Sequence, residues 1–96
     1  MIYPLNYLGI LMAIDKAVNL PKFRAHVYVQ INSELWDIGH EFMRCILEDK
    51  KAKAMFKDRK YSNKTIILEF DNGSVIKIGR FSEHSRGTRS NLIFLF

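Results

Sequence analysis

The stretch Lys64-Thr65-Ile66-Ile67-Leu68-Glu69-Phe70-Asp71-Asn72-Gly73-Ser74-Val75-Ile76-Lys77-Ile78-Gly79-Arg80-Phe81 decides the fold. Its first seven residues are rich in β-branched and aromatic types, which suit a pleated, half-buried surface. Asp71-Asn72-Gly73 follows as a turn, because Asn and Gly tolerate the positive φ that tight hairpins require. A two-residue turn at Asn72-Gly73 would set Leu68 opposite Lys77 and Ile66 opposite Gly79. A three-residue loop, with Gly73 in the left-handed position of a bulge, sets Leu68 opposite Ile76 and Ile66 opposite Ile78. Only the second register makes one face apolar and leaves Glu69 and Lys77 together on the other, so the three-residue loop is expected.

Downstream of the hairpin the chain turns polar, from Ser82 to Asn91, and then closes on Leu92-Ile93-Phe94-Leu95-Phe96. An apolar run without alternation predicts a strand buried on both faces, in the middle of a sheet covered by helices. Upstream, Tyr3 to Asn19 reads as a helix, with Pro4 near its first position, where a missing N–H does no harm. Leu5, Leu8, Ile10, Leu11, Met12, Ile14, Ala17 and Val18 leave it little polar surface. It is therefore expected either to pack on two sides or to meet a second copy of the chain in a homodimer. Ala25 to Ile31 alternates as a strand, with Ala25, Val27, Val29 and Ile31 on one side. Asn32 and Ser33 offer an N-cap to a second helix running to about Phe56, with a break near Lys50, and Glu34 suits its first turn. Its apolar side is Leu35, Ile38, Phe42, Cys45 and Ile46, widened by Trp36, Met43 and Leu47. Glu41, Arg44 and Glu48 are spaced for ion pairs on the opposite side.

The expected architecture is one α/β domain over residues 1–96: a mixed sheet of about four strands, including one β-hairpin, with two main helices packed against it. Its 96 residues suffice for one modest core, and a hydrophobic content of 48% marks a globular chain. The lone Cys45 excludes an internal disulfide. Leu5 to Ile14 is too short to span a bilayer, and no basic segment precedes it, so no membrane anchor or signal peptide is expected and the cytoplasm is the default location.

Charge is unevenly distributed. Residues 1–49 carry 4 basic and 6 acidic side chains, net −2, and residues 50–96 carry 11 and 4, net +7, which together make the overall +5. Lys50, Lys51, Lys53, Lys57, Arg59 and Lys60 form a basic run that closes the second helix, and Arg86 and Arg89 lie in the later polar loop. Cations are favoured near any helix C-terminus. The same residues also suit a phosphate backbone or an acidic protein surface, so DNA or such a surface is the candidate partner.

Chemistry is sparse. His26, His40, His84 and Cys45 do not have the spacing of metal ligands on one helix face, so no metal is expected. His84 beside Ser82 and Ser85 is an ordinary loop composition rather than a nucleophile with its base. Cys45 lies on the apolar helix face as a core residue. No Gly-x-x-x-x-Gly-Lys loop is present to cradle nucleotide phosphates, and no cofactor is implied.

Asn72-Gly73-Ser74-Val75-Ile76, then Ser85-Arg86-Gly87-Thr88-Arg89, then Leu92-Ile93-Phe94-Leu95 resembles the ATPase domain of phage terminase large subunits, the motors that package viral DNA. In that family an Asn-Gly-Ser hairpin precedes a loop with Arg-Gly-x-Arg and then the apolar Walker B strand. The resemblance implies that the first helix is the one after the P-loop, that Ala25–Ile31 is the next strand, and that the helix from Ser33 follows it. It also implies losses. The P-loop falls before Met1, Phe96 stands where the Walker B aspartate would hold Mg²⁺, and the catalytic glutamate falls beyond the last residue. Asn91 occupies a position where the family often has an acid. The expectation is not an enzyme but a non-catalytic, terminase-like phage protein that contacts DNA or the packaging machinery in the host cytoplasm. The alternative is a small phage-encoded inhibitor that binds and blocks a host defence protein.

Overall fold

The computed structural model describes residues 2–4, 6–62, 64–80 and 92–95. The hairpin forms in the expected register: β4 (Thr65–Phe70) and β5 (Val75–Arg80) are antiparallel, with Leu68 opposite Ile76 and Ile66 opposite Ile78. The Gly73 N–H donates to the Phe70 carbonyl at 3.1 Å, the Phe70 N–H donates to the Ser74 carbonyl at 3.0 Å, and Gly73 has a φ of +85°. The bulged three-residue loop therefore exists as expected, and the left-handed residue is the glycine that can adopt it without strain.

The other elements are β1 (Ile2–Pro4), α1 (Tyr7–Asn19), β2 (Arg24–Val29), α2 (Asn32–Glu48), α3 (Lys50–Met55), β3 (Phe56–Ser62) and β6 (Leu92–Leu95). They build a mixed six-stranded sheet in the order β1-β6-β2-β5-β4-β3. β1, β6, β2 and β5 are mutually parallel, and β4 runs against both β5 and β3. The four expected strands are the four inner ones, and the two additional strands are the two edges. The β1-α1-β2 and β2-α2-α3-β3 crossovers step across the sheet in the same direction. Right-handed connections then place their helices on the same face, and α1 and α2 do touch.

That face holds the core. Ala25, Val27 and Val29 of β2, Ile66, Leu68 and Phe70 of β4, Ile76 and Ile78 of β5, and Leu92 and Phe94 of β6 are buried. Against them α1 sets Ile10, Ala13, Ile14, Ala17 and Val18, and α2 sets Leu35, Ile38, Phe42, Cys45 and Ile46. Full burial of each large apolar side chain contributes about 1.5–3 kcal/mol.

Several expectations are corrected. Pro4 is not in a helix: it lies in β1, an edge strand, where a missing N–H is tolerated, and Asn6 caps α1 by accepting from the Gly9 N–H at 2.8 Å. α1 packs on one side only, leaving Tyr7, Leu8 and Leu11 exposed. β2 starts and ends earlier than Ala25–Ile31. Ile31 is the residue before α2, and the Glu34 side chain accepts the Ile31 N–H at 3.0 Å. The break of the second helix is where it was expected, near Lys50: Asp49 accepts from the Ala52 N–H at 2.9 Å and so caps the short α3. Trp36 and Leu47 do not widen the buried side of α2 but stand exposed. β6 is an inner strand, but its two faces are unequally buried: Leu92 and Phe94 are buried, Ile93 is half-buried and Leu95 is 42% exposed. Among the described residues α1 and α2 cover the face of Leu92 and Phe94. Phe96 lies outside the described residues.

The Asn72-Gly73-Ser74 loop also holds the junction of α1 and β2. Asn72 Nδ2 donates to the carbonyls of Ala17 at 2.8 Å and Leu20 at 3.3 Å, and Asn72 Oδ1 accepts the Ser74 N–H at 3.1 Å. Ser74 is fully buried. Its hydroxyl donates to the Leu20 carbonyl at 2.8 Å and accepts the Phe23 N–H at 3.1 Å. At the end of α1 the Asp15 and Lys16 carbonyls are met locally by Asn19 Nδ2 and the Leu20 N–H, and those of Ala17 and Leu20 by the hairpin loop.

Candidate functional site

The basic run is divided by the chain's change from helix to strand. Lys50, Lys51 and Lys53 are exposed on α3, while the buried Ala52 fixes that turn to the core. Lys57, Arg59 and Lys60 are not a helix C-terminus. They belong to β3, an exposed strand whose pairing with β4 is irregular between Phe56 and Asp58. Strand alternation sends Arg59 to the helix side of the sheet, opposite Leu68, and Lys60 to the other side, opposite Ile67. Lys60 Nζ lies 2.9 Å from Glu69 Oε1, which raises the Lys60 pKa and neutralises its charge locally. Lys51 Nζ donates to Asn19 Oδ1. Among the described residues no carboxylate pairs with Lys50, Lys53, Lys57 or Arg59. Arg86 and Arg89 lie outside the described residues, as do His84, Ser82 and Ser85.

On α2 the expected ion pairs form: Arg44 reaches Glu41 Oε2 at 2.6 Å and Glu48 Oε1 at 3.3 Å. The hydrogen bond from Arg44 holds the Glu41 carboxyl below its ordinary range. Arg44 is therefore occupied by its own helix and adds nothing to the basic surface. Burial pushes the Cys45 thiol pKa up, which suits a core residue and opposes a nucleophile. His26 sits in β2 beside Lys77, and burial, then that charge, lowers its pKa. Among the described residues no three His, Cys, Asp or Glu side chains converge as a metal site, and no helix is long and apolar enough to cross a membrane.

A concave feature not expected from sequence opens between α2 and β3. It is a cavity of about 210 Å3 lined by Trp36, Gly39, His40, Arg59, Tyr61 and Ile66, with Lys60 also bordering it. Trp36, Gly39 and His40 are spaced three and four apart, so they share one stripe of α2. Gly39 lets that stripe lie close to β4, since a Cβ there would come within 2.7 Å of Ile66 Cδ1. The Trp36 and Tyr61 rings meet at a centroid distance of 4.9 Å and an angle of 38°. Tyr61 is carried by β3, so the cavity exists only because Lys57–Ser62 is a strand laid beside α2. The Trp36-x-x-Gly39-His40 spacing was visible in the sequence, but its partner wall was not.

Chemically the arrangement offers exposed ammonium and guanidinium groups along α3 and β3, and a flat aromatic cleft next to Arg59. No protein-family model, curated protein or solved structure matches this chain.

Proposed function

We propose that this domain is a non-catalytic contact module for nucleic acid, as the terminase resemblance implies for a phage protein that touches DNA or the packaging machinery in the host cytoplasm. The observation that carries the reading is the set of exposed cations on α3 and β3, Lys50, Lys53, Lys57 and Arg59, that no described carboxylate neutralises. Asp49 and Asp58 adjoin these cations in sequence, but their carboxylates accept backbone N–H groups of Ala52 and Arg59, and a phosphate backbone would balance the cations with release of counterions.

The test is binding of duplex and single-stranded DNA across a salt series. The expected result is an affinity that falls with salt, with a log–log slope of about −0.9 for each duplex phosphate contacted. Charge reversal of Lys50, Lys51 and Lys53 to Glu flattens that slope without lowering the melting temperature. Absence of binding at low ionic strength refutes the reading.

One observation favours the inhibitor reading as the runner-up. Among the described residues β3 is a sheet edge whose outer backbone groups have no strand partner, and such an edge can add a strand from another protein. Stoichiometric capture of one host defence protein, lost on substituting proline into β3, would select it. Exposed Tyr7, Leu8 and Leu11 on α1 are the surface through which two copies would pair in either reading.

A further inference from the structure

We propose that the cleft between α2 and β3 binds one unpaired nucleobase of a single-stranded nucleic acid, stacked on Trp36 and Tyr61, with its phosphate held by Arg59. The inference rests on the nucleic-acid reading above and adds which form of nucleic acid is taken and where.

Four features of the cleft carry it. First, Trp36 is 46% exposed and Tyr61 53% exposed even though their rings touch. Two large aromatic rings are thus held in place by the fold while much of their surface faces solvent, which is costly unless a partner covers it. Second, a cavity of about 210 Å3 lies below the roughly 300–1,000 Å3 of sites for drug-sized ligands, so it suits one flat ring system. Third, the lining charges are of one sign. Arg59 is the lining charge without an ion-pair partner among the described residues, Lys60 being paired with Glu69, and no carboxylate lines the cavity, so the flat group should arrive with an anion attached. Fourth, exposed cations continue in the preceding chain, Lys57 in the same strand as Arg59 and Lys50, Lys51 and Lys53 in α3, which supplies further contacts for a polyanionic strand. A base with its phosphate meets all four conditions. A duplex does not, because its bases are already stacked and paired, whereas unpaired bases stack on aromatic side chains without regard to sequence.

Arg59 also suits the phosphate role. Its planar fork gives two parallel hydrogen bonds to one oxyanion pair, and no described carboxylate competes for it.

The experiment uses the intact protein titrated with short oligo(dT), oligo(rU), a duplex of equal length, and an acidic tyrosine-containing peptide. Trp36 is the single tryptophan of the chain, so its fluorescence reports on the cleft directly. The expected result is saturable quenching by oligo(dT) or oligo(rU) and weaker binding of the duplex. Read by fluorescence anisotropy of an end-labelled oligonucleotide, because substitution of Trp36 removes the intrinsic probe, Trp36→Ala and Tyr61→Ser should each weaken the single strand by about five- to 150-fold, the range for loss of one stacked base, with duplex affinity unchanged. Trp36→Phe should restore most of the loss, which separates stacking from a folding defect, and a thermal melt of each variant confirms the fold. Equal binding of single strand and duplex, unaffected by Trp36→Ala, overturns the cleft inference and leaves the basic surface standing. No binding of either nucleic acid overturns both. Quenching by the acidic peptide alone overturns the inference in favour of a protein ligand.

Discussion

Removing one oxygen atom at Ser74 should destabilise the domain more than most surface changes combined. The hydroxyl is fully buried and is the acceptor of the Phe23 N–H at 3.1 Å, at a position where Phe23 itself is only 5% exposed. In Ser74→Ala that N–H is left without its partner, at a cost of about 1–3 kcal/mol. The Leu20 carbonyl also loses the hydroxyl at 2.8 Å but keeps Asn72 Nδ2 at 3.3 Å, so its share is smaller. A total near 2 kcal/mol is a large fraction of the 5–15 kcal/mol typical of a small domain. It should lower the melting temperature by about 8–16 °C, given about 4–8 °C per kcal/mol at this chain length. Urea denaturation should show a lower midpoint with an unchanged slope, and the Phe23 amide should exchange with solvent hydrogen faster than its neighbours. Because Asn72 and Ser74 share the Leu20 carbonyl, Asn72→Ala combined with Ser74→Ala should depart from additivity by at least about 0.5 kcal/mol. A loss below about 0.5 kcal/mol for Ser74→Ala would refute the argument that this loop, rather than core packing alone, fixes the junction of α1 and β2.

Three further outcomes are expected. Phe94→Ala should cost about 3–5 kcal/mol in chemical denaturation, since Phe94 is 0% exposed beneath the helices, whereas Ile93→Ala, at a half-buried position, should cost distinctly less. Burial, and secondarily Lys77, hold the His26 imidazole below its ordinary 6.5, so the unfolded chain takes up a proton before the folded one does. Stability is then full above about 6.5 and falls as pH drops through it, and His26→Gln should flatten that part of a melting-temperature profile. Light scattering at high concentration should give a dimer mass that returns to monomer on Leu8→Glu with Leu11→Glu, residues that are 73% and 39% exposed. A monomeric wild type would remove α1 from any interface.

The sequence by itself determined the elements whose side chains must choose between two environments. β4 and β5 alternate apolar and polar, so only one register buries Ile66, Leu68, Ile76 and Ile78 together, and the loop between them had to contain three residues. The buried stripe of α2 and the Glu41–Arg44–Glu48 pairs follow from a period of 3.6 in the same way. The two edge strands left no such trace. β1 is three residues long with a proline in it, and β3, Phe56-Lys57-Asp58-Arg59-Lys60-Tyr61-Ser62, is exposed along nearly its whole length. β1 is too short for a pattern to show, and β3 is a strand because β4 offers it a free hydrogen-bonding edge, not because its side chains ask for it. Tertiary structure alone therefore decided that Arg59 and Lys60 point to opposite sides of the sheet, and that Tyr61 lies against Trp36 to form the cleft. It also decided which face of β6 is buried. An apolar tetrapeptide cannot state on how many sides it will be covered, since that depends on the two crossovers sharing one direction across the sheet and leaving both helices on one face.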